Sequence, residues 1–165
     1  MSKAFSIIEL IIVISIIVLL SVMAVPAFTV FGARADLDSK AEEIKIAVEK
    51  AAMAAKNPEQ GKTGAKFLFD NTVTPPRIKS TYCKLKDTTR PQDGCLANFK
   101  DEFVTIPSNT TLDSFNTIYF SITGKTFPST DVSITLSRTA GWPLTKLISR
   151  TITITPNPLK VTITE

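Results

Sequence analysis

Few side chains in this sequence are of the types that carry out chemistry in proteins. Its 165 residues include no histidine and two cysteines, Cys83 and Cys95. Without histidine, Ser-His-Asp and Cys-His triads and His metal sites are excluded, together with the commonest general base. Two cysteines without other soft ligands do not form a zinc site. We therefore expect no enzymatic activity and no cofactor or metal.

Two Gly-Lys-Thr fragments are similar to part of a phosphate-binding loop, Gly61–Lys62–Thr63 and Gly124–Lys125–Thr126. That loop requires another glycine five residues before the Gly-Lys pair. Lys56 and Tyr119 occupy those positions. Neither fragment therefore predicts nucleotide binding.

Cysteine usage and net charge bear on the surroundings and partners of the chain. A disulfide between Cys83 and Cys95 is expected if their domain lies outside the cytoplasm, and two free thiols are expected in a reducing compartment. Closing so short a loop would contribute about 3 kcal/mol through loop entropy. The formal net charge is +4, from 19 Lys and Arg against 15 Asp and Glu. That charge alone does not indicate nucleic-acid binding.

The titratable side chain in the most unusual setting is Glu9, near the start of the apolar run Phe5–Phe28. No charged residue occurs from Leu10 to Phe31. As a helix at 1.5 Å per residue, that stretch spans about 33 Å, compared with about 30 Å of bilayer hydrocarbon. Its Ile, Val, Leu and Phe content suits lipid, where backbone groups bond within the helix. We predict a transmembrane segment at about residues 7–31.

An ionisable group inside a spanning segment costs several kcal/mol unless it is neutralised or paired, and is therefore a candidate functional residue. Glu9 has two interpretations. In the first, it lies at headgroup level and its carboxylate reaches water. In the second, it is neutralised or finds a partner within its apolar surroundings and has a functional role.

The residues around Glu9 favour the second interpretation. Lys3, Ala4 and Phe5 precede it, and Pro26 lies near the far end of the run. This pattern resembles the N-terminus of type IV pilin-like (prepilin-type) proteins, although glycine is most often found where this chain has Ala4. The resemblance implies cleavage between Ala4 and Phe5 by a prepilin peptidase/methyltransferase and N-methylation of Phe5. It also implies that Glu9 pairs with the terminal amine of a neighbouring subunit during assembly.

A secretory signal peptide is the alternative interpretation of the same run, with Ala24 and Ala27 as small residues near a cleavage point. Against it, the basic region contains only Lys3, the run exceeds the usual 7–15 residues of a signal core, and Glu9 lies inside it. The first residue of the mature protein distinguishes the two interpretations. Prepilin processing gives Phe5, and signal cleavage gives a residue beyond Ala24.

Beyond the membrane, the helix is predicted to continue to residue 56. Pro26 removes a backbone hydrogen bond and predicts a kink near the outer leaflet. Ser39 and Glu42 have the spacing of a capping box, so a fresh helix start there is the alternative to one continuous helix. Asn57–Pro58 ends the helix. Apolar residues at spacings of three and four predict one buried stripe: Leu37, Ala41, Ile44, Val48, Ala51, Ala52 and Ala55.

The remainder of the chain is predicted to be rich in strands. Between residues 57 and 112 the pattern is weak, with expected strands at Lys66–Asp70, Arg77–Lys86 and Phe103–Ile106 and a turn at Gln92–Gly94. Near the C-terminus, four segments alternate apolar residues with Ser or Thr, as in an antiparallel sheet with one buried and one solvated face: Thr117–Ile122, Val132–Ser137, Arg150–Thr155 and Lys160–Thr164. The predicted fold class is α+β, with a long N-terminal helix (membrane half plus amphipathic half) packed on a C-terminal antiparallel β-sheet domain.

The order of these C-terminal strands is most similar to the H-type (FimT-like) minor pseudopilins and minor pilins. Asn157–Lys160 stands where that group often has a Thr-Gly-Arg turn. Some members bind DNA, and the corresponding candidates here are cations that would contact phosphates: Arg138, Lys146, Arg150 and Lys160. The simpler interpretation is that these four are solvated cations at a sheet edge.

The resemblance implies a minor pilin or pseudopilin of a type IV pilus or type II secretion pseudopilus. Its parts would be a leader (1–4), a helix (5–56) and an extracytoplasmic domain (57–165). It would be a single-pass protein of the bacterial inner membrane, with a cytoplasmic N-terminus and a periplasmic domain. Expected partners are other pilin subunits, the prepilin peptidase, the assembly platform and membrane lipid. The alternatives are a DNA-binding minor pilin for natural transformation and a membrane-anchored adhesin.

Overall fold

A computed structural model describes residues 6–57, 61–141, 145–156 and 158–165, except for the side chains at positions 23, 24 and 26. One long helix, α1 (Ile7–Lys56), precedes all the strands of the described residues. These strands are β1 (Gly64–Asp70), β2 (Arg77–Leu85), β3 (Cys95–Thr105), β4 (Thr111–Leu112), β5 (Ile118–Ser121), β6 (Thr126–Phe127), β7 (Val132–Ala140), β8 (Lys146–Pro156) and β9 (Leu159–Thr164). The chain is therefore an α+β protein, as predicted.

The helix α1 is continuous for 50 residues, or about 75 Å at the usual rise. It passes through Ser39 without interruption, so the alternative of a fresh helix start there is wrong. It also passes through position 26, and the kink expected at Pro26 stays a prediction. At its C-terminal end the N–H of Asn57 donates to the carbonyl oxygen of Met53 at 3.2 Å.

The strands form two antiparallel sheets. The first, sheet A, has the order β3-β2-β1-β5-β6, and the second, sheet B, has the order β4-β7-β8-β9. The prediction that the four C-terminal alternating segments share one sheet is wrong, because β5 pairs with β1 through Phe67 and Ile118. Alternation reports which face of a strand is buried and carries no information about its neighbour.

Sheet A also shows where a weak pattern hid a strand. β3 begins at Cys95, whereas the sequence predicted a strand only from Phe103. The first part was missed because this edge strand is exposed over most of its length and its burial does not alternate. The expected turn at Gln92–Gly94 is a short 3-10 helix, Pro91–Asp93, that ends just before β3.

The core lies between α1 and the inner faces of both sheets. Every residue of the predicted helical stripe is at most 4 % exposed. Many of these residues are alanines, which let the helix backbone approach the strands closely. Among the large side chains that the sheets add to this core are Phe67, Tyr82 and Phe120 from sheet A and Ile134, Leu136 and Ile152 from sheet B.

Candidate functional site

The first half of α1 exposes an unusually large apolar surface. Apart from Val30, the described large apolar side chains from Ile7 to Phe31 are between 46 and 80 % exposed. The most apolar 18-residue window of α1 has a mean hydropathy of 3.0, and none of it is buried. By length and composition this helix could cross a membrane. Soluble monomers rarely expose an apolar surface of this extent.

Two serine hydroxyls in this half are paired within the helix itself. The hydroxyl of Ser15 donates to the carbonyl oxygen of Ile11 at 2.8 Å, and that of Ser21 donates to Ile17 at 2.7 Å. Both residues therefore remain compatible with lipid, where an unpaired hydroxyl would be costly.

Glu9 lies in the first turn of α1 and takes part in a capping box. Its Oε2 accepts a hydrogen bond from the N–H of Ser6 at 3.2 Å, and Ser6 Oγ accepts from the N–H of Ile8 at 3.4 Å. A carboxylate at this position is also favoured by the helix dipole. The predicted assembly residue thus has a local role that sequence reasoning missed. The Ser-x-x-Glu spacing before an apolar run could have revealed it.

The predicted processing site lies outside the described residues. Ala4 and Phe5 both precede the first described residue, Ser6. Cleavage between them and methylation of Phe5 stay predictions.

Two arginines of sheet B hold α1 just beyond its apolar half. Arg138 contacts Asp36 at 2.7 Å. Arg150, which is 8 % exposed, pairs with Asp38 and lies 3.1 Å from the carboxylate of Glu165. The hydrogen bond with Asp38 raises the pKa of the Arg150 guanidinium, against the opposing effect of burial. These contacts fix the helix onto sheet B.

The structure does not gather the four candidate DNA-binding cations into one patch. Arg138 and Arg150 are occupied by the ion pairs with α1. Lys146 is the first residue of β8, whereas Lys160 pairs with Thr155 near the other end of that strand. At the usual rise per residue, these two lysines are separated by about 30 Å along the sheet.

The predicted disulfide between Cys83 and Cys95 is confirmed. It joins β2 to the edge strand β3. The register of the β2–β3 pairing shifts there twice, between Tyr82 and Cys83 and between Lys84 and Leu85. The covalent bond therefore ties the two strands together where backbone pairing is irregular.

A second set of charged contacts joins the far part of α1 to β3. The carboxylate of Glu102 forms ion pairs with Lys100 and with Lys50 of α1, both at 2.8 Å. It also accepts a hydrogen bond from the hydroxyl of Tyr82 at 3.2 Å. These donors, Lys100 first, lower the pKa of Glu102 to about 2. Burial, followed by the charge of Glu102, raises the pKa of Tyr82 to about 12.

Comparisons with known proteins do not assign the chain to a group. No family model, no curated protein and no solved structure matches it. Across the described residues there is also no cluster of three or more His, Cys, Asp or Glu side chains arranged to hold a metal ion. The features that bear on function are therefore the apolar half of α1, Glu9 at its start and the surfaces of the sheet domain.

Proposed function

We propose that this chain is a minor pilin or pseudopilin subunit of a type IV pilus or type II secretion pseudopilus. In this proposal the first half of α1 is inserted in the inner membrane and then moves into the core of a filament. The observation that carries it is the division of one continuous helix. One half is apolar on all sides and exposed, and the other buries a single apolar stripe against two sheets. Such a helix supplies a filament with a core and leaves the sheet domain outside.

Glu9 has a defined task in this proposal. After cleavage before Phe5, the terminal amine of a neighbouring subunit would pair with the Glu9 carboxylate, and that pair would set the axial register of the apolar helices. The local capping box uses Oε2 of Glu9. A carboxylate has two oxygens and several lone pairs, so it can accept from a second donor at the same time.

The experiment compares Glu9→Gln with Glu9→Leu in cells that have the prepilin peptidase. Glutamine can keep the capping bond to Ser6 but has no charge. If the carboxylate pairs with an amine, both variants leave the protein in the membrane and reduce filament assembly by about tenfold or more. The reason is that the terminal amine of the neighbouring subunit would be buried without its partner, which is costly. Filaments are counted by shearing and immunoblotting.

The matched control is Ser15→Leu, which also replaces a polar side chain of the apolar half and removes a bond internal to the helix. It should assemble normally. Normal assembly of Glu9→Gln would show that Glu9 acts only as a capping residue. N-terminal sequencing of the mature protein tests processing, and retention of Ala4 in those cells would contradict the proposal.

The DNA-binding alternative receives little support from the positions of Arg138, Arg150, Lys146 and Lys160. Gel-shift assays on the full chain in detergent, at low and high salt, distinguish it. Phosphate contacts would give binding that weakens steeply with salt. A chain that stays anchored and never appears in sheared filaments would instead favour the membrane-anchored adhesin.

A further inference from the structure

Two depressions lie where the apolar half of α1 ends and sheet B begins, and Arg34 lines both of them. The first, on the apolar half, is lined by Ala27, Val30, Phe31 and Arg34. The second, against sheet B, has a volume of about 190 Å³. Its lining residues are Arg34 of α1, Glu165, and Lys146, Leu147, Ile148, Ser149 and Arg150 of β8. We call the two depressions together the junction surface. It changes from apolar to charged in the direction in which α1 leaves its apolar half.

Two of the three cations of the junction surface have no partner among the described residues. Arg150 is neutralised by Asp38 and by Glu165, the one carboxylate among the described lining residues. Arg34 and Lys146 are exposed and form no ion pair with any described residue. With Asp38 included, three cations stand against two carboxylates, so the surface has a net positive charge.

The undescribed residues do not supply a counter-charge for Arg34. The only acidic side chain among them is Glu59. It follows Lys56 by three residues, which span at most about 11 Å. Lys56 lies about 33 Å from Arg34 along the helix, so Glu59 cannot reach the junction surface.

The level of Arg34 relative to a membrane follows from the length of the uncharged stretch. Leu10 to Phe31 spans about 33 Å, close to the thickness of bilayer hydrocarbon. Arg34 lies about 4.5 Å further along the helix, and the headgroup layer on each side of the hydrocarbon is about 5–8 Å thick. When this stretch crosses a membrane, Arg34 and Lys146 therefore lie at the level of the lipid phosphates, and the apolar depression lies beside the acyl chains.

We propose that the junction surface binds an anionic phospholipid of the leaflet on which the sheet domain lies. Its phosphate contacts Arg34 and Lys146, and its acyl chain packs against Val30 and Phe31. A guanidinium can donate two parallel hydrogen bonds to a phosphate, and each Lys or Arg close to an anionic leaflet strengthens binding about fivefold. This inference rests on the membrane insertion in the proposed function and does not require filament assembly.

Two features of the surface favour this occupant over other anions and lipids. A free phosphate would leave the adjoining apolar depression uncovered, whereas the acyl chain of a lipid covers it. A zwitterionic lipid would bring its own ammonium group to a surface that is already positive, whereas an anionic lipid brings a net negative charge.

The first experiment uses the full chain in micelles of an uncharged detergent. Phosphatidylglycerol is added at increasing mole fraction, with phosphatidylcholine as the zwitterionic control. The amide NMR signals of Arg34, Lys146 and Leu147 should shift and saturate, with half-saturation at a mole fraction of phosphatidylglycerol about fivefold or more below that of phosphatidylcholine. Shifts that never saturate, or equal half-saturation with both lipids, would overturn the site.

Free phosphate is tested on the same signals. Inorganic phosphate, added to lipid-free micelles at the ionic strength of a chloride control, should leave them unchanged. Saturating shifts with inorganic phosphate would show that the surface binds a free anion, and would overturn the lipid as its occupant.

Charge variants locate the phosphate. Arg34→Gln and Lys146→Gln should each raise the half-saturating mole fraction of phosphatidylglycerol about fivefold. The matched controls, Arg90→Gln and Lys84→Gln, remove exposed cations of the β2–β3 region and should not change it. Equal effects of variants and controls would show that the net charge of the domain attracts the lipid and that the junction surface does not bind it.

The position of the acyl chain is tested with two phenylalanines of α1. Phe28 and Phe31 are 74 and 73 % exposed, but only Phe31 lines the junction surface. Phe31→Ala should weaken phosphatidylglycerol binding about threefold or more, and Phe28→Ala should leave it unchanged. Equal effects would overturn the placement of the acyl chain.

Failure of this inference can be distinguished from failure of the proposed function. Glu9 lies at the other end of the apolar half, so Glu9→Gln should bind phosphatidylglycerol as the natural chain does, even where it forms no filaments. Loss of lipid binding in Glu9→Gln would contradict a site formed by Arg34 and Lys146.

Discussion

The two halves of α1 share one uninterrupted backbone but have opposite surroundings. Ile14 in the first half is 52 % exposed, whereas Ile44 in the second is fully buried. In the first half apolar residues occupy every side of the helix, so no single protein surface can cover them. In the second they form one stripe, and two sheets cover it. The distribution of apolar residues around a helix therefore indicates its solvent better than their number does.

The two halves of α1 also differ in the size of their apolar side chains. The apolar half is rich in Ile, Val and Leu, which fill space among lipid tails or other helices. The packed half places small residues such as Ala41, Ala51 and Ala55 against the strands, each fully buried. Small side chains allow a helix to approach a sheet closely, and the large residues of the strands then fill the remaining core.

The largest expected difference comes from truncating the same residue type in each half. Ile44→Ala should lower the free energy of unfolding of the sheet domain by about 2–5 kcal/mol, because it leaves a cavity in the core. Ile14→Ala should change it by no more than about 0.5 kcal/mol. Urea unfolding of the full chain in mild detergent measures both. Equal losses would contradict the division of the helix.

Much of this division could be predicted from the sequence, because periodicity directly reports burial. Leu37 and Ile44 were assigned to the buried stripe from spacing alone. The separation of β5 from β7–β9 could not be predicted, since strand neighbours depend on contacts between residues far apart in the chain. The pairing of Arg150 with Asp38 is of the same kind, because these residues are more than a hundred positions apart.

The sequence was also ambiguous at the candidate sites. Glu9 was identified because a carboxylate in an apolar run is unusual, yet its bond to Ser6 was missed. The four cations near the C-terminus suggested a shared surface. Proximity along the chain does not reveal which of them already have partners, and two of them form ion pairs with α1.

A smaller effect is expected where the packed half of α1 begins. Asp38→Asn leaves Arg150, whose side chain is 10 % exposed, without its main partner. The free energy of unfolding should fall by about 1–2 kcal/mol, because Asp38 itself is half exposed and Glu165 remains near Arg150. Asp36→Asn should cost less than about 1 kcal/mol, because its pair with Arg138 is more exposed. The same unfolding experiment ranks the two, and the reverse order would contradict this account of how α1 is fixed to sheet B.

The smallest effect is expected at the far end of α1 and depends on pH. The folded-state pKa of Glu102 is about 2, below its ordinary value of 4.5. The folded chain therefore binds fewer protons at this group than the unfolded chain. The stabilisation is fully present above pH 4.5 and is lost as the pH falls from there towards 2. It should be below about 1 kcal/mol, since exposed pairs are screened by solvent.

Glu102→Gln should make the loss of stability between pH 4.5 and 2 less steep, as measured by thermal melting across that range, and the exposed control Asp131→Asn should not. Variants of the two lysines that contact Glu102 then show which of them causes the pH dependence. Lys100 belongs to the same strand as Glu102, whereas Lys50 belongs to α1. If Lys50→Gln reproduces part of the change, the ion pair helps to hold the helix. If only Lys100→Gln does so, Glu102 is held by its own strand, and apolar packing alone fixes this end of α1.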